Sequence, residues 1–407
     1  MGCMNERFSF TTYSLYKGSP MLFNRKKKKF TQLYPCEHLF ELYNDQKVEQ
    51  VAIPDSVKSI VFILPDMATF SGGLTSVLRL ATYLSGHGYD IYYYTLNATD
   101  ESVFKHNAAI NLKGYKGQLI QEQELQQRTF DVAVATLWTS VYFVAKNRHL
   151  FSYKAYFIQD FEPYFYPQGD LFQLSLQTYR MGFLMISLGS WNKRMIESND
   201  PNLKVHYIDF PFEQSEYQKG SSKRTRIQEK IARKLLTFAV YLKNDPKRAP
   251  ALVILQLGYM KQQLEAQGYT IEIIYYGTDA SFEIMYGYNA GKLSLEALKS
   301  LYLKADFGVV ASFTNISLVN YEMIAMGLPV MDYRSGSAAD FFTDETMLFL
   351  SNETDAIYKA VQQILADPQQ PENMVFRAQQ HIDGKTWEHT AQQFASILQA
   401  LPQSANP

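Results

Sequence analysis

The sequence predicts an α/β protein with two consecutive domains that face a cleft, each built on a mostly parallel sheet covered by helices. Short apolar runs alternate with stretches of helical periodicity along most of the chain. A polar connection without apolar periodicity, residues 212–230, divides this alternation into two series. The length of 407 residues suits two or three domains. The predicted boundaries are an N-terminal extension at 1–56, a first domain at 57–215, a second at 216–371 and a C-terminal helix at 372–407.

The first series opens with a strand, a glycine-containing loop and a helix. An apolar run at 60–64 suits a buried strand, and the pair Gly72 and Gly73 follows it. Apolar residues then recur at helical spacing until Gly86, before a second strand at 91–95. Further strands of this series are predicted at 131–136, 155–159, 184–187 and 205–209.

The second series repeats the alternation after the connection. Its strands are predicted at 235–241, 271–276, 307–311 and 328–333, with helices that end at Gln267, span 293–304 and span 317–326. Helical periodicity returns in the tail between Glu372 and Leu398. Open α/β sheets bind ligands beyond the carboxyl ends of their strands, which predicts a site in the cleft between the domains.

The composition narrows the class of protein. A hydrophobic content of 46% with mixed charges is ordinary for a globular chain, and the formal net charge of −1 gives no overall attraction to nucleic acid. The two cysteines, Cys3 and Cys36, precede the first strand and do not form a disulfide framework. No apolar run approaches the roughly 20 residues of a membrane span. These features predict a cytoplasmic protein.

A compact basic run lies near the N-terminus. The segment "FNRKKKKF" carries five cations at Arg25–Lys29 between two phenylalanines. Such a cluster can bind an anionic membrane surface, with about 1 kcal/mol for each cation near the lipid headgroups. A solvated basic tail is the alternative.

Two glycines stand where the first predicted helix begins. Gly72 and Gly73 would let an anion or a sugar approach the unpaired N–H groups of the helix N-terminus. A tight turn that needs positive φ is the alternative. The pattern is not GxGxxG, which argues against a nicotinamide-dependent dehydrogenase.

Three cations follow the first strand of the second series. In "YLKNDPKR", Lys243, Lys247 and Arg248 share one loop, where they could hold a diphosphate through charge-assisted hydrogen bonds. A solvated turn set by the Asn-Asp-Pro sequence is the alternative.

Carboxylates occur at two further strand ends. A helix beginning near Ser317 would present backbone donors to phosphate and would place Glu322 within reach of ligand hydroxyls, or Glu322 could be an ordinary exposed residue. Gln159, Asp160 and Glu162 follow a buried strand in "YFIQDFEPYFYP" and could bind hydroxyls or act on a proton. Helix capping and loop structure are the alternative for these residues. No Cys/His cluster with zinc spacing, GxSxG motif or Walker loop is present, so no metal site is predicted.

Taken together, these segments resemble the family-four glycosyltransferases of the GT-B fold, and especially the WsaF-type polysaccharide rhamnosyltransferases. The resemblance runs from about Lys58 to Leu398 and is carried by "ILPDMATFSGGLTSVLRLATYLSGHGYD", "YFIQDFEPYFYP" and "LSLEALKSLYLKADFGVVASFTNISLVNYEMIAMGLPV". It implies two Rossmann-like domains that clasp a nucleotide-diphosphate sugar, a closing C-terminal helix and no cofactor.

The resemblance also assigns roles to particular residues. The implied donor-binding residues are Gly72, Gly73, Lys243, Arg248, Gly277, Asn315, Ser317, Leu318 and Glu322. Within this set the basic pair would hold the diphosphate and Glu322 the ribose. Asp160 is the implied catalytic residue, and Gln159 and Glu162 would lie on the acceptor or sugar-ring side.

The implied reaction is metal-independent transfer with retention, from a donor such as dTDP-rhamnose to a lipid-linked cell-surface glycan at the inner face of the membrane. One departure is Thr314, which stands where many family members carry the first of two glutamates seven residues apart. A scaffold protein that retains nucleotide-sugar affinity without catalysis is therefore an alternative. A sugar-nucleotide epimerase is disfavoured, because no acid and base pair is evident around a sugar carbon.

Overall fold

The computed structural model describes residues 43, 47–52, 56–217 and 227–401. These residues belong to one compact unit, Leu42–Pro407. The predicted membrane-binding run Arg25–Lys29 lies outside the described residues.

The first half of the described chain forms a parallel sheet of seven strands in the order β3-β2-β1-β4-β5-β6-β7. The order reverses between β1 and β4, and Ile60 of β1 pairs with Ile91 on one side and Val132 on the other. The strands are β1 Ser59–Leu64, β2 Asp90–Thr95, β3 Gln118–Leu119, β4 Phe130–Ala135, β5 Phe151–Ile158, β6 Leu184–Leu188 and β7 Val205–Ile208. The helices are α1 Gly72–Gly86, α2 Glu101–Asn111, α3 Glu122–Gln126, α4 Trp138–Lys146, α5 Asp170–Gln177 and α6 Ser190–Asn199.

The second half forms a separate parallel sheet of six strands in the order β10-β9-β8-β11-β12-β13. Its strands are β8 Leu235–Tyr241, β9 Thr270–Tyr276, β10 Tyr288–Asn289, β11 Phe307–Val309, β12 Val330–Tyr333 and β13 Leu348–Leu350. Its helices are α7 Ile227–Ala232, α8 Pro250–Ala266, α9 Leu295–Lys304, α10 Leu318–Ala325, α11 Ala356–Ala366, α12 Gln370–Ile382 and α13 Trp387–Gln399. Both sheets have the doubly wound strand order of a Rossmann-like domain.

Burial on both faces explains why the strands read as continuous apolar runs. Residues 60–64 of β1 are all buried, as expected for a central parallel strand covered by helices. In the second domain, helices α8 and α11 pack together over the sheet, and their apolar residues join one core with those of β8 and β9. The predicted fold class, two α/β domains with parallel sheets, is confirmed.

The C-terminal segment differs in detail from the single helix that the sequence predicts. It consists of α12 and α13, separated by a break at Gly384, whose φ of 78° is a left-handed conformation suited to glycine. Helix α13 returns to the first domain, where the Phe394 ring lies 6.2 Å from that of Phe157. Thr390 Oγ1 donates to Asp209 O at 3.1 Å in the same region.

Four elements of the second domain were not predicted, namely helix α7, strands β10 and β13, and helix α11. Strand β13 has only three residues, too few to show a periodicity. Helix α11 does carry apolar residues at helical spacing, and this signal was available in the sequence. Within the described ranges, no helix is both long and apolar enough to cross a membrane.

Candidate functional site

A cleft of about 790 Å³ is lined by the turn after β1 and by the loops that follow β8, β9, β10 and β11. This is the carboxyl-terminal edge of the second sheet, where open α/β sheets bind ligands. Of the predicted donor-binding residues, those that line it are Gly72, Lys243, Gly277, Leu318 and Glu322. Those in the same turns and loops but outside this lining are Gly73, Arg248, Asn315 and Ser317.

The two glycines form the first turn of α1, which Ser71 caps by accepting the Leu74 N–H at 3.4 Å. Neither glycine has a positive φ, so the turn explanation does not account for them. A Cβ at Gly72 would meet no atom within 4 Å, and one at Gly73 would make ordinary contact with Gln159 Oε1 at 3.6 Å. Neither backbone conformation nor protein packing therefore requires glycine at position 72, which leaves open volume at the cleft.

The residue before this turn is strained. Phe70 has a φ of 54°, an unusual value for a bulky side chain that costs on the order of 1–3 kcal/mol. Its ring is 59% exposed at the cleft, and Lys292 Nζ from the second domain lies 5.7 Å from the ring centroid. The two domains thus approach each other at the cleft through an exposed aromatic ring and a cation.

The predicted basic pair lies on the loop between β8 and α8. Lys243 lines the cleft, with Nζ 5.8 Å from the Tyr241 ring. Arg248 ends a short 3₁₀ turn, and its Nη1 donates to Ala311 O at 3.0 Å at the end of β11. Among the residues that the structure describes, neither Lys243 nor Lys292 forms an ion pair, so both charges are available to an anionic ligand.

The start of α10 and the turn after β9 complete this edge. Ser317 is the N-cap of α10, and its hydroxyl accepts from Val319 N at 3.4 Å. Gly277 has a φ of 100°, and a Cβ there would lie 2.8 Å from the Tyr241 ring. Glycine at 277 is therefore required by the fold itself, in contrast to position 72.

Glu322 lies in the second turn of α10 and lines the cleft. Burial raises the pKa of its carboxyl to about 7. The Tyr217 hydroxyl and the Arg79 guanidinium favour the ionised form and so partly offset this rise. Tyr302 also provides a hydroxyl to this carboxyl. The group is poised to change charge near neutral pH, which is a common property of functional sites.

Arg79 of α1 joins the first domain to the connection between the domains. Its Nη1 lies 2.8 Å from Glu213 Oε2 and its Nη2 lies 2.8 Å from Glu216 Oε2. Tyr217, whose hydroxyl contacts Glu322, follows Glu216 directly in the chain.

The loop after β5 meets the loop after β11 across the domain boundary. Asp160 Oδ1 accepts a hydrogen bond from Thr314 Oγ1 at 2.6 Å, and Oδ2 lies 3.4 Å from Lys247 Nζ. Burial opposes ionisation of Asp160, yet the Lys247 ammonium and the Thr314 hydroxyl together hold its pKa below the usual range. A backbone hydrogen bond also joins these two loops, since Phe161 N donates to Thr314 O at 2.9 Å.

Asn315 occupies the same boundary. Its side-chain amide donates to Gln159 O at 2.6 Å and to Leu188 O at 2.9 Å, and its Oδ1 accepts from Ile316 N at 2.8 Å. The two hydrogen bonds donated by the amide nitrogen join the domains, whereas the Oδ1 contact is local. Its predicted contact with a donor stays a prediction.

Glu162 is buried in the same loop as Asp160. Its Oε2 accepts from Trp138 N at 2.6 Å, where α4 begins, and burial raises the pKa of the carboxyl to about 8. Glu162 thus caps the N-terminus of α4, and helix capping was the alternative to a ligand contact for this segment in the sequence. Its predicted place on the acceptor side stays a prediction.

Several residues that line the cleft were not predicted from the sequence. No role was predicted for Phe70, Arg79, Tyr217 or Lys292, and tertiary contacts bring them to the site. Lys247 was placed on the basic loop, but its contact with Asp160 depends on how the domains dock. No cluster of three or more His, Cys, Asp or Glu suited to a metal ion occurs in the part of the chain that the structure describes.

Comparisons with known proteins agree with this architecture. No protein-family model matches the chain. Over 207 residues, or 49% of this chain, it is 27% identical to the O-antigen biosynthesis protein RfbC of Myxococcus xanthus. The match spans only 15% of that relative's length.

Two solved structures show the likeness in three dimensions. HepE of Anabaena, crystallised with UDP-glucose, has a TM-score of 0.64 at 14% identity and covers 84% of this chain and 100% of its own. WaaG, a glycosyltransferase involved in lipopolysaccharide biosynthesis, has a TM-score of 0.57 at 11% identity and covers 84% of this chain and 100% of its own. The chain therefore has the two-domain, Rossmann-like GT-B fold.

Proposed function

We propose that this chain is a glycosyltransferase that moves a sugar from a nucleotide-diphosphate sugar to a growing cell-surface polysaccharide. The main support for this proposal is the set of residues that line the cleft. Gly72 leaves open volume at a helix N-terminus, and Lys243, Lys292 and Glu322 line the same cleft from the second domain. Such a site suits a ligand with a diphosphate at one end and hydroxyls at the other. The O-antigen relative and the structural neighbours support the same class.

In this proposal, the cations and helix termini stabilise the leaving diphosphate. Negative charge accumulates on the diphosphate as the glycosidic bond breaks. Lys243, Arg248 and the N-terminus of α10 stabilise that charge, because their donors are already oriented. Glu322 accepts hydrogen bonds from the ribose, and the open position at Gly72 admits the sugar or a phosphate oxygen.

Finer features of the proposal follow from the resemblance seen in the sequence. The sugar is rhamnose, supplied as dTDP-rhamnose, and the transfer proceeds with retention and without a metal ion. The acceptor is a lipid-linked glycan at the cytoplasmic face of the membrane, with Arg25–Lys29 assisting association. Asp160 contacts the acceptor or the sugar ring.

The test is a transfer assay with the full chain. A panel that includes dTDP-rhamnose and UDP-glucose is first ranked by thermal shift, since a ligand at 100 times its dissociation constant adds about 2.7 kcal/mol of stability. Donors that bind are then incubated with a short rhamnose acceptor, and products are identified by mass spectrometry. The anomeric configuration, read by NMR, tests retention.

The outcome separates the proposal from its main alternative. New glycan that disappears in the Arg248→Ala variant supports the transferase. Binding of a nucleotide sugar without turnover on any acceptor would instead support a non-catalytic scaffold, for which Thr314 is the feature in favour. If no nucleotide sugar in the panel binds, both the transferase and the scaffold hypotheses are wrong.

A further inference from the structure

The loops at the domain boundary hold one carboxylate from two directions. Asp160, at the end of β5 in the first domain, contacts the Thr314 hydroxyl through one oxygen and the Lys247 ammonium through the other, at 2.6 and 3.4 Å. Both partners belong to the second domain. The side chains of Asp160 and Lys247 are only 22% and 21% exposed, so their interaction is partly shielded from solvent.

Lys247 is itself fixed by its surroundings. Its backbone N donates to Asp245 Oδ1 at 3.1 Å within the 3₁₀ turn, and its Nζ lies 4.4 Å from the centre of the Phe165 ring. Phe165 belongs to the loop that carries Asp160, so the lysine contacts this loop through both a carboxylate and an aromatic face.

We propose that Lys247 and Thr314 are positioning residues that orient the Asp160 carboxylate, so that the catalytic group is aligned only while the two domains are in contact. This inference rests on the proposed function for the role of Asp160. Thr314 fixes the direction of one oxygen through a hydrogen bond, and Lys247 keeps the carboxylate charged. A misplacement of about 1 Å at a reacting group can cost on the order of 100-fold in rate, which gives such positioning its value.

The ionisation of Asp160 depends on charged and titratable groups from the elements packed around it. Lys247 and Arg248 from the 3₁₀ turn favour its ionised form, while Glu162 on its own loop and Tyr179 before β6 are close enough to interact with it. Without Lys247, fewer positive charges offset the effect of burial on the pKa of the Asp160 carboxyl. The pKa of Asp160 should then rise, and activity that needs the carboxylate should be lost at a higher pH.

A second ion pair between the same domains supplies the matched control. Arg194 of α6 and Asp340 after β12 form a bidentate pair, with both nitrogen–oxygen distances at 2.7 Å. This pair joins the domains without contacting Asp160. Arg194→Gln therefore weakens the domain contact and leaves the partners of Asp160 in place.

The experiment measures the carboxyl directly and the reaction separately. Aspartate is labelled with ¹³C at the carboxyl, and the Asp160 signal is identified by its loss in Asp160→Asn. Lys247→Gln and Thr314→Val should move the titration midpoint of this signal to higher pH, whereas Thr314→Ser and Arg194→Gln should leave it in place. In transfer assays, the first two variants should lose on the order of 10- to 100-fold in kcat with little change in donor KM.

An unchanged midpoint in both Lys247→Gln and Thr314→Val overturns the inference, and so does an equal change in Arg194→Gln. If the midpoint moves as expected but neither wild type nor any variant transfers sugar, the positioning stands and the proposed function fails. Transfer by Lys247→Gln and Thr314→Val with wild-type kcat contradicts the positioning role alone.

Discussion

The ionisation of Glu322 leads to a quantitative prediction for nucleotide-sugar binding. Burial raises the pKa of this carboxyl from 4.5 to about 7, so it is partly protonated in the free protein at neutral pH. Ribose hydroxyls would donate to the carboxylate and thereby favour its ionised form. The affinity for a nucleotide-diphosphate sugar should therefore rise as the pH rises through 7 and level off above it.

The size of the effect follows from the same pKa. With a midpoint near 7, about one carboxyl in ten is ionised at pH 6 and about nine in ten at pH 8. If only the ionised form binds the ribose, the dissociation constant should fall by about tenfold over this range, or about 1.4 kcal/mol. A hydrogen bond to a charged group contributes about 1.5–3 kcal/mol, which is large enough to sustain this preference.

Isothermal titration calorimetry with dTDP-rhamnose or UDP-glucose at several pH values measures this dependence. The esterified diphosphate of these ligands does not titrate between pH 6 and 8, and no histidine occurs among the described residues that line the cleft. Glu322→Gln should bind more weakly at pH 8 and show little change with pH. Glu296→Gln, an exposed exchange on α9, is the control and should behave as wild type.

Two results would refute this reasoning. Wild-type affinity that is constant between pH 6 and 8 would show that the carboxyl does not contact the ligand. A tenfold dependence that persists in Glu322→Gln would assign the titration to another group.

Four further predictions concern other parts of the molecule. Arg248→Ala should lower kcat by on the order of 100-fold, or nearly 3 kcal/mol, because in the proposed mechanism its cation stabilises the leaving diphosphate; steady-state kinetics with folding checked by circular dichroism should show this. Gly72→Val should fold normally, since its Cβ meets no atom within 4 Å, but should raise the donor KM by obstructing the cleft. Asp160→Asn should lower turnover more than donor affinity, and loss of stability with normal activity in the folded fraction would make the residue structural. Neutralising Arg25–Lys29 should abolish liposome binding at low salt, where exposed charges are least screened; unchanged binding would contradict a membrane role.

Local patterns were sufficient to predict the order of most strands and helices. The apolar runs of β1 and β8 and the helical periodicity after Gly72 depend on residues that are neighbours in the chain, so they can be recognised without knowledge of the fold. The same holds for the carboxyl-terminal edges of the sheets, because residues that follow parallel strands meet at one edge. The glycine pair, the basic loop and Glu322 were predicted for this reason.

Tertiary structure decided which of these residues face the cleft and which serve the fold. The sequence does not distinguish the roles of Gly72 and Gly277, which each follow a predicted strand. In the structure, a Cβ at Gly72 would meet open volume, whereas a Cβ at Gly277 would lie against the Tyr241 ring. Asp160 and Thr314 are 154 positions apart and are brought together only by domain docking. Burial raises the pKa of Glu322, and the hydroxyls of Tyr217 and Tyr302, which come from distant segments, act against that rise. The sequence by itself thus determined most of the elements and the sheet edge where the candidate cleft lies, whereas long-range contacts determined the charge and orientation of the groups at that edge.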